Sequence, residues 1–307
     1  SDNRGPAQWS NNTCHNVITI VFTATDDCGN SATTSATFTI DDTTPPDITI
    51  AAANGQAECQ GVDPDANTLY QAWLANNGGA AASDLCNNGV TWSNNSGTAQ
   101  WSGTCTKTIT IVFTATDNCG NPATTSATFT ITDTQAPVVT AASNGSAECQ
   151  GVDPNANTLY MAWLANHGGA TASDLCGNGV TWSDNSATAQ WSGTCTKTIT
   201  IVFTATDNCN NSASTSATFT ITDTQAPVVT AASNGSAECQ GTDPNANTFY
   251  LAWLVNHGSA TASDLCGNGV TWSDNSATAQ WSGTCTRTIT IIFTATDNCN
   301  NSASTSA

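Results

Sequence analysis

Between residues 108 and 116 the chain alternates without a break. Ile109, Ile111, Phe113 and Ala115 fall on one face of an extended segment and Thr and Val on the other, the period of a half-buried strand. Residues 117–122 (DNCGNP) are rich in turn formers, and Ala127, Phe129 and Ile131 then resume period 2, so the two runs predict a hairpin. Short runs at 138–142, 146–150 and 180–183 predict three further strands of an antiparallel set. One segment breaks the alternation, GVDPNANTLYMAWLANHGG at 151–169. There Leu159, Ala162, Trp163 and Ala165 recur near helical spacing, with Asp153 as N-cap, Pro154 at the first helical position and Gly168 as C-cap.

The pattern is periodic. The string QWSGTCTKTITIVFTATDNC at 100–119 returns at 190–209, and at 280–299 with only Lys→Arg and Val→Ile changes, a period of 90 residues. A diverged copy occupies 8–28, and the phrase DITIAAA after Pro46 carries one residue more than VVTAAS after Pro137. With the Asp-Thr-x-x-Pro phrase as boundary, the expected modules are 43–133, 134–223 and 224–307, the last with an unfinished final strand, and 1–42 is the C-terminal half of another. The expected fold is all-β: tandem immunoglobulin-like β-sandwich modules, each with one short helix inserted after its second strand, arranged as a rod or fibre.

The phrases TATDNCGN (114–121), SATFTITDTQAP (126–137), AECQG (147–151) and ASDLCGNGVTW (172–182) resemble hyalin-repeat (HYR-like) and related immunoglobulin-like modules. Such modules are arrayed in tandem in very large secreted surface proteins of surface-colonising bacteria. The resemblance covers the whole chain and implies an extracellular stalk, adhesin or fibre.

Composition points the same way. Charged residues are only 9% of the 307, against about 25% in ordinary domains, and 4 Lys+Arg face 23 Asp+Glu for a net charge of −19. Nucleic acid and anionic membrane are poor partners for such a surface. No apolar run approaches the ~18 residues of a membrane span. The 14 Cys fit an oxidising compartment. The expected location is the cell surface or the extracellular space.

Four Cys per module, at 59, 86, 105 and 119 in the first full one, allow three pairings. A strand of about 11 residues, roughly 36 Å long, separates Cys105 from Cys119, so these two cannot bridge each other. Placing Cys119 and Cys86 at one end of the sandwich and Cys59 and Cys105 at the other selects Cys59 with Cys105 and Cys86 with Cys119. The same scheme predicts Cys149 with Cys195, Cys176 with Cys209, Cys239 with Cys285 and Cys266 with Cys299. Cys14 and Cys28 are then unpaired within the chain, their partners lying upstream or in another subunit.

Acidic residues gather at one pole of each module, which makes three sets candidate calcium ligands at the linkers: Asp42, Asp84 and Asp117; Asp133, Asp174 and Asp207; Asp223, Asp264 and Asp297. The competing role for such residues is to cap turns. The Asp-Thr phrase marks Thr43, Thr134 and Thr224 as candidate O-glycan acceptors. Catalytic chemistry finds little here. His15, His167 and His257 are the only imidazoles, and the register of His167 holds Asn77 in the first full module.

The sequence therefore predicts no enzyme but the structural repeat region of an extracellular fibre or adhesin stalk, disulfide-stapled and glycosylated, whose partners are neighbouring modules or copies of itself. The alternative is a carbohydrate- or ice-binding module using Thr-rich strand faces or the Trp residues at 73, 92 and 101.

Overall fold

The computed structural model describes the whole chain except Pro6, Thr13, Asn87, Asn88, Asn178 and Asn268. Two strands open it, β1 (His15–Thr25) and β2 (Ser31–Asp41). The first complete repeat then contributes β3 (Asp47–Ile50), β4 (Gly55–Glu58), α1 (Thr68–Ala75), β5 (Ala81–Ser83), β6 (Val90–Asn94), β7 (Thr106–Asp117) and β8 (Pro122–Thr132). The second follows with β9 (Val138–Val139), β10 (Gly145–Glu148), α2 (Thr158–Ala165), β11 (Ala172–Ser173), β12 (Thr181–Asp184), β13 (Thr196–Thr206) and β14 (Ser212–Thr222). The third supplies β15 (Val228–Val229), α3 (Thr248–Val255), β16 (Ala262–Ser263), β17 (Thr271–Asp274), β18 (Ile292–Thr296) and β19 (Ser302–Ser306).

Each complete repeat is a β-sandwich built on the long hairpin. In the first, a four-stranded sheet runs β4-β8-β7-β6 and a two-stranded one pairs β3 with β5; the second repeats this as β10-β14-β13-β12 and β9-β11. The hairpin register sets Ile109 opposite Phe129 and Ile111 opposite Ala127. Because the side-chain period is two, this puts the apolar set on one face: Ile109, Ile111, Phe113, Ala115, Phe129 and Ile131 are all at most 3% exposed. The expected all-antiparallel set is corrected at one edge, where β4 runs parallel to β8. Both strands travel from the pole where the repeat is entered to the pole where it is left, so β4 has no reversal before it.

The helix covers the buried face. Tyr70 and Trp73 on α1 lie 5.3 and 5.2 Å from the Phe129 ring, and Trp73 also meets Phe113 at 5.2 Å. Gly55 opens β4 where any Cβ would enter the Phe129 ring and approach Trp73 within 3.0 Å, so only glycine allows helix and sheet to close here. The helix start differs from expectation. Asp153 caps a short 3-10 turn, Pro154–Ala156, and the α-helix begins behind Asn157, whose side-chain oxygen accepts from the Leu159 and Tyr160 N–H groups. Asn157 Nδ2 donates to the Glu148 carbonyl at 2.9 Å, which ties the helix to β10.

The β1–β2 hairpin has the pairing of β7–β8 without the covering layer. Phe22 and Phe38, equivalent to Phe113 and Phe129, are 45% and 62% exposed instead of 0% and 2%. In the third repeat residues 235–238 form no strand.

Compact units do not follow the repeat boundaries. One comprises Ser1–Ala136 together with Asp174–Gly179 and Asp207–Asn211; the other comprises Pro137–Ser173, Val180–Thr206 and Ser212–Ala307. The first unit thus includes two loops from the repeat that follows.

Asn and Asp are equally good N-caps, but only Asn carries the second donor that the Glu148 carbonyl uses. Asn157→Asp is therefore expected to lower stability by about 1–3 kcal/mol, close to the loss from Asn157→Ala, in chemical denaturation. Wild-type stability in the Asp variant would contradict this account.

Candidate functional site at the repeat junction

The site is assembled by chain direction. Strand β7 leaves Cys105 at the outgoing pole, where the Cys105 carbonyl accepts from Asp133 N–H at 2.9 Å, and ends at the incoming pole beside Cys119. There Asn121 Nδ2 donates to the carbonyl of Asp42 in the incoming linker at 3.3 Å. The same bond recurs from Asn211 to Asp133 and from Asn301 to Asp223. Each linker is thus held by the hairpin turn of the repeat it enters.

Cysteines from both sides meet at this place, and the expected pairing is corrected. The bridges are Cys14–Cys119, Cys59–Cys176, Cys105–Cys209, Cys149–Cys266 and Cys195–Cys299. None closes within a repeat, and Cys14, expected to be unpaired, is bridged. The expected poles were right, as was the exclusion of Cys105 with Cys119. The error lay in treating the repeat as closed: Cys59, Cys105 and Cys176 line one small cavity, and the bridged Cα atoms stand 6.0 Å apart for Cys59–Cys176 and 5.3 Å for Cys105–Cys209, inside the range a disulfide spans. The expected pairs Cys59–Cys105, Cys149–Cys195, Cys176–Cys209 and Cys266–Cys299 give way to these bridges, and Cys86–Cys119 and Cys239–Cys285 do not form because Cys86, Cys239 and Cys285, like Cys28, are free and exposed.

The acidic residues divide into two jobs. Asp117 Oδ1 accepts from the Cys119 and Asn121 N–H groups and Oδ2 from the Asn121 side chain, and Asp207 and Asp297 repeat this in their own turns. Burial opposes ionisation of these carboxyls, but the Asn donors and turn N–H groups prevail and hold all three below the usual carboxylate range. The other two members of each expected set do come together, with a cysteine in place of the third Asp. Asp42 gathers with Asp84 and Cys86, Asp133 with Asp174 and Cys176, and Asp223 with Asp264 and Cys266, the potential ligand atoms within 4.8 Å of one another. Burial and then the Asp42 carboxylate push the Cys86 thiol up.

A second clasp escaped sequence reading. Glu58, ending β4, accepts from the Thr134 N–H at 2.9 Å and from its hydroxyl at 2.6 Å, and Glu148 binds Thr224 identically. Burial opposes ionisation of both glutamates, but the threonine bonds prevail and hold their pKa below the ordinary value. The phrases AECQG and DTQAP were visible as repeats, yet nothing in them says that they touch. The clasp occupies the hydroxyls of Thr134 and Thr224, two of the three expected glycan acceptors, so a glycan there would displace a bond to a carboxylate. Thr43 stands in the exposed linker before β3.

The tryptophans that the alternative reading would present to a sugar serve the core. Trp73 Nε1 donates to the Ala53 carbonyl and Trp101 Nε1 to Asp65 Oδ1, while both rings pack on Tyr70. Trp92 packs against the same cluster. His167 and His257 stack on Trp182 and Trp272 at 4.6 Å, and His15 contacts Asp41. No helix among the described residues is long and apolar enough to cross a membrane.

No family model and no curated protein matches the sequence. Among solved structures the chain is similar to the human desmocollin-1 ectodomain, at 11% identity and TM-score 0.24, covering 95% of this chain and 64% of that one. It is similar also to the protocadherin gamma-B4 extracellular domain (13%, 0.30, 98% and 59%) and to Drosophila N-cadherin EC1-4 (10%, 0.25, 97% and 83%). The chain spans less than two thirds of the length of the first two.

Two outcomes follow from this geometry. A protease site inserted after Gln225 and then cut should leave one species on a denaturing gel without reductant and two with it, because Cys149–Cys266 and Cys195–Cys299 span the cut. Separation without reductant would restore pairing within repeats. The second outcome concerns acid. Glu148, Asp207 and Asp297 have folded pKa values below their unfolded ones, so their contribution is complete above about pH 4–5 and is lost as pH falls through the lower folded values. The melting temperature, bridges intact, should therefore be level from pH 7 to about 5 and fall below about 4. A level profile down to pH 2 would show that the clasp and turns carry no net stability.

Proposed function

We propose that the chain is the structural repeat region of an extracellular fibre or adhesin stalk. The observation that carries this reading is the disulfide pattern: every bridge joins one repeat to its neighbour. A domain that works alone gains nothing from such bonds, whereas an array gains continuity. Formation of five bridges needs an oxidising compartment. The resemblance to hyalin-repeat modules, an acidic surface unsuited to nucleic acid and an array of near-identical units support the same assignment. In this reading the modules are 43–133, 134–223 and 224–307, preceded by the half-module 1–42, and the partners are further repeats. Phe22 and Phe38 of the half-module lie exposed where complete repeats bury their equivalents. We assign the front half of another repeat to that face.

Calcium has a secondary place in the proposal. Asp133 and Asp174 together offer at most four oxygens, where calcium takes six to eight, and the nearby Cys176 sulfur is committed to a bridge. Rigidity at the junction is assigned to the disulfides and the Glu–Thr clasp. The carbohydrate-binding alternative loses its tryptophan platform to the core and keeps only the Thr-rich strand faces.

Antibody raised against residues 1–307 should decorate extracellular threads along their length in immunogold micrographs of the source cells, and the purified chain should ignore a glycan array. Label confined to the cell interior would overturn the proposal, and saturable binding to one glycan class would favour the alternative.

A further inference from the structure

The bridges do more than fasten neighbours, because of where they attach. A force entering the first complete repeat through Cys14–Cys119 arrives at the incoming end of β7, and Cys105–Cys209 leaves from the outgoing end of that same strand. In the next repeat Cys209 and Cys195 flank β13, and Cys195–Cys299 carries the path onward. The shortest covalent route along the chain therefore runs bridge, strand, bridge, strand. The rest of each 90-residue repeat is left out of it.

We infer that Cys14–Cys119, Cys105–Cys209 and Cys195–Cys299, with β7 and β13 between them, form a continuous covalent rail that bears tension while the repeats stay folded. The inference deepens the structural reading of the previous subsection and rests on it for its biological sense. Its physical basis is separate. A β-strand already rises ~3.3 Å per residue, and a chain can be drawn out to at most about 3.6 Å per residue, so the rail lengthens by only about a tenth under load. An unbridged 90-residue repeat pulled open would release about 300 Å.

β7 is suited to the task, since it is paired along almost its whole length with β8 on one side and over Phe113–Asp117 with β6 on the other, and its inward face is buried. A second route exists through Cys59–Cys176 and Cys149–Cys266, but its stretch from Cys149 to Cys176 contains α2, which rises only ~1.5 Å per residue. That route is slack while the first is taut.

Single-molecule pulling on the 307-residue chain, with handles at Ser1 and Ala307, tests the rail. The fully stretched length depends on which bonds exist and not on whether a variant folds well. Without reductant the rail limits extension to about 200 Å, and reduction with dithiothreitol should raise the limit to about 1,100 Å. Bridges closed within repeats would instead give about 600 Å. Removing one rail bridge with Cys105→Ser and Cys209→Ser should extend the non-reduced limit to about 300 Å, because the route then detours through Cys149–Cys266. Removing Cys59–Cys176 with Cys59→Ser and Cys176→Ser should leave it near 200 Å, that bridge lying off the shortest path. A non-reduced limit near 600 Å or beyond, or equal limits for the two double variants, overturns the rail. Failure of the fibre reading would show in the micrographs and leave these lengths unchanged.

Discussion

The geometry of the junction depends on one fact about extended chain: a 12-residue strand holds its ends roughly 40 Å apart. Cys105 and Cys119 stand on either side of β7, so neither can satisfy the other and both must look outward, one to each neighbour. Because the hairpin spans the sandwich from pole to pole, both linkers pass one of its ends. The turn at Asp117 can then hold the incoming linker through Asn121 while Cys105 holds the outgoing one through Asp133.

Stability has two sources with different reach. Within a repeat, an aromatic cluster of Tyr70, Trp73, Trp101, Phe113 and Phe129 fills the space between helix and sheet. A chain only 38% hydrophobic can still be ordered in this way, because a few large side chains supply most of the buried area. Between repeats, each bridge closes a loop of 104 to 117 residues. In the chain-entropy account loops of that size are worth about 4.7 kcal/mol each. Core packing holds each repeat; the bridges make neighbouring repeats depend on one another.

The fold was legible where periodicity alone decides it. The alternation from Ile109 to Ala115 gave the strand and its buried face, and Leu159 to Ala165 gave the helix. The start of that helix was misread by one turn because Asp153-Pro154 is a good capping phrase in its own right, and it does cap, but a 3-10 turn. At the site, the poles of the cysteines followed from strand length, and the pairing did not. Cys59 and Cys105 line one cavity together with Cys176 of the next repeat, and sequence spacing contains no term for a neighbour. The Glu58–Thr134 clasp was illegible for a related reason: its halves lie 76 residues apart and each reads alone as an ordinary polar phrase.

A cross-junction bridge also explains why the repeats must match so closely in frame. A bridge within a repeat tolerates any linker, whereas one between repeats requires both poles to keep a fixed relation to the linker. The second and third copies differ at seven positions and none of these is a cysteine. The informative case is the one residue by which the first complete repeat is longer. It makes the Cys14–Cys119 separation 105 where Cys105–Cys209 has 104, yet the Cα–Cα distances are 5.2 and 5.3 Å. The surplus falls in β3, where the register against β5 slips between Ile48 and Ile50. A bulge takes one residue out of a ladder at the cost of a local bend. Here it lies in the short sheet, away from the hairpin that sets the poles, so the added residue is absorbed before it reaches the junction.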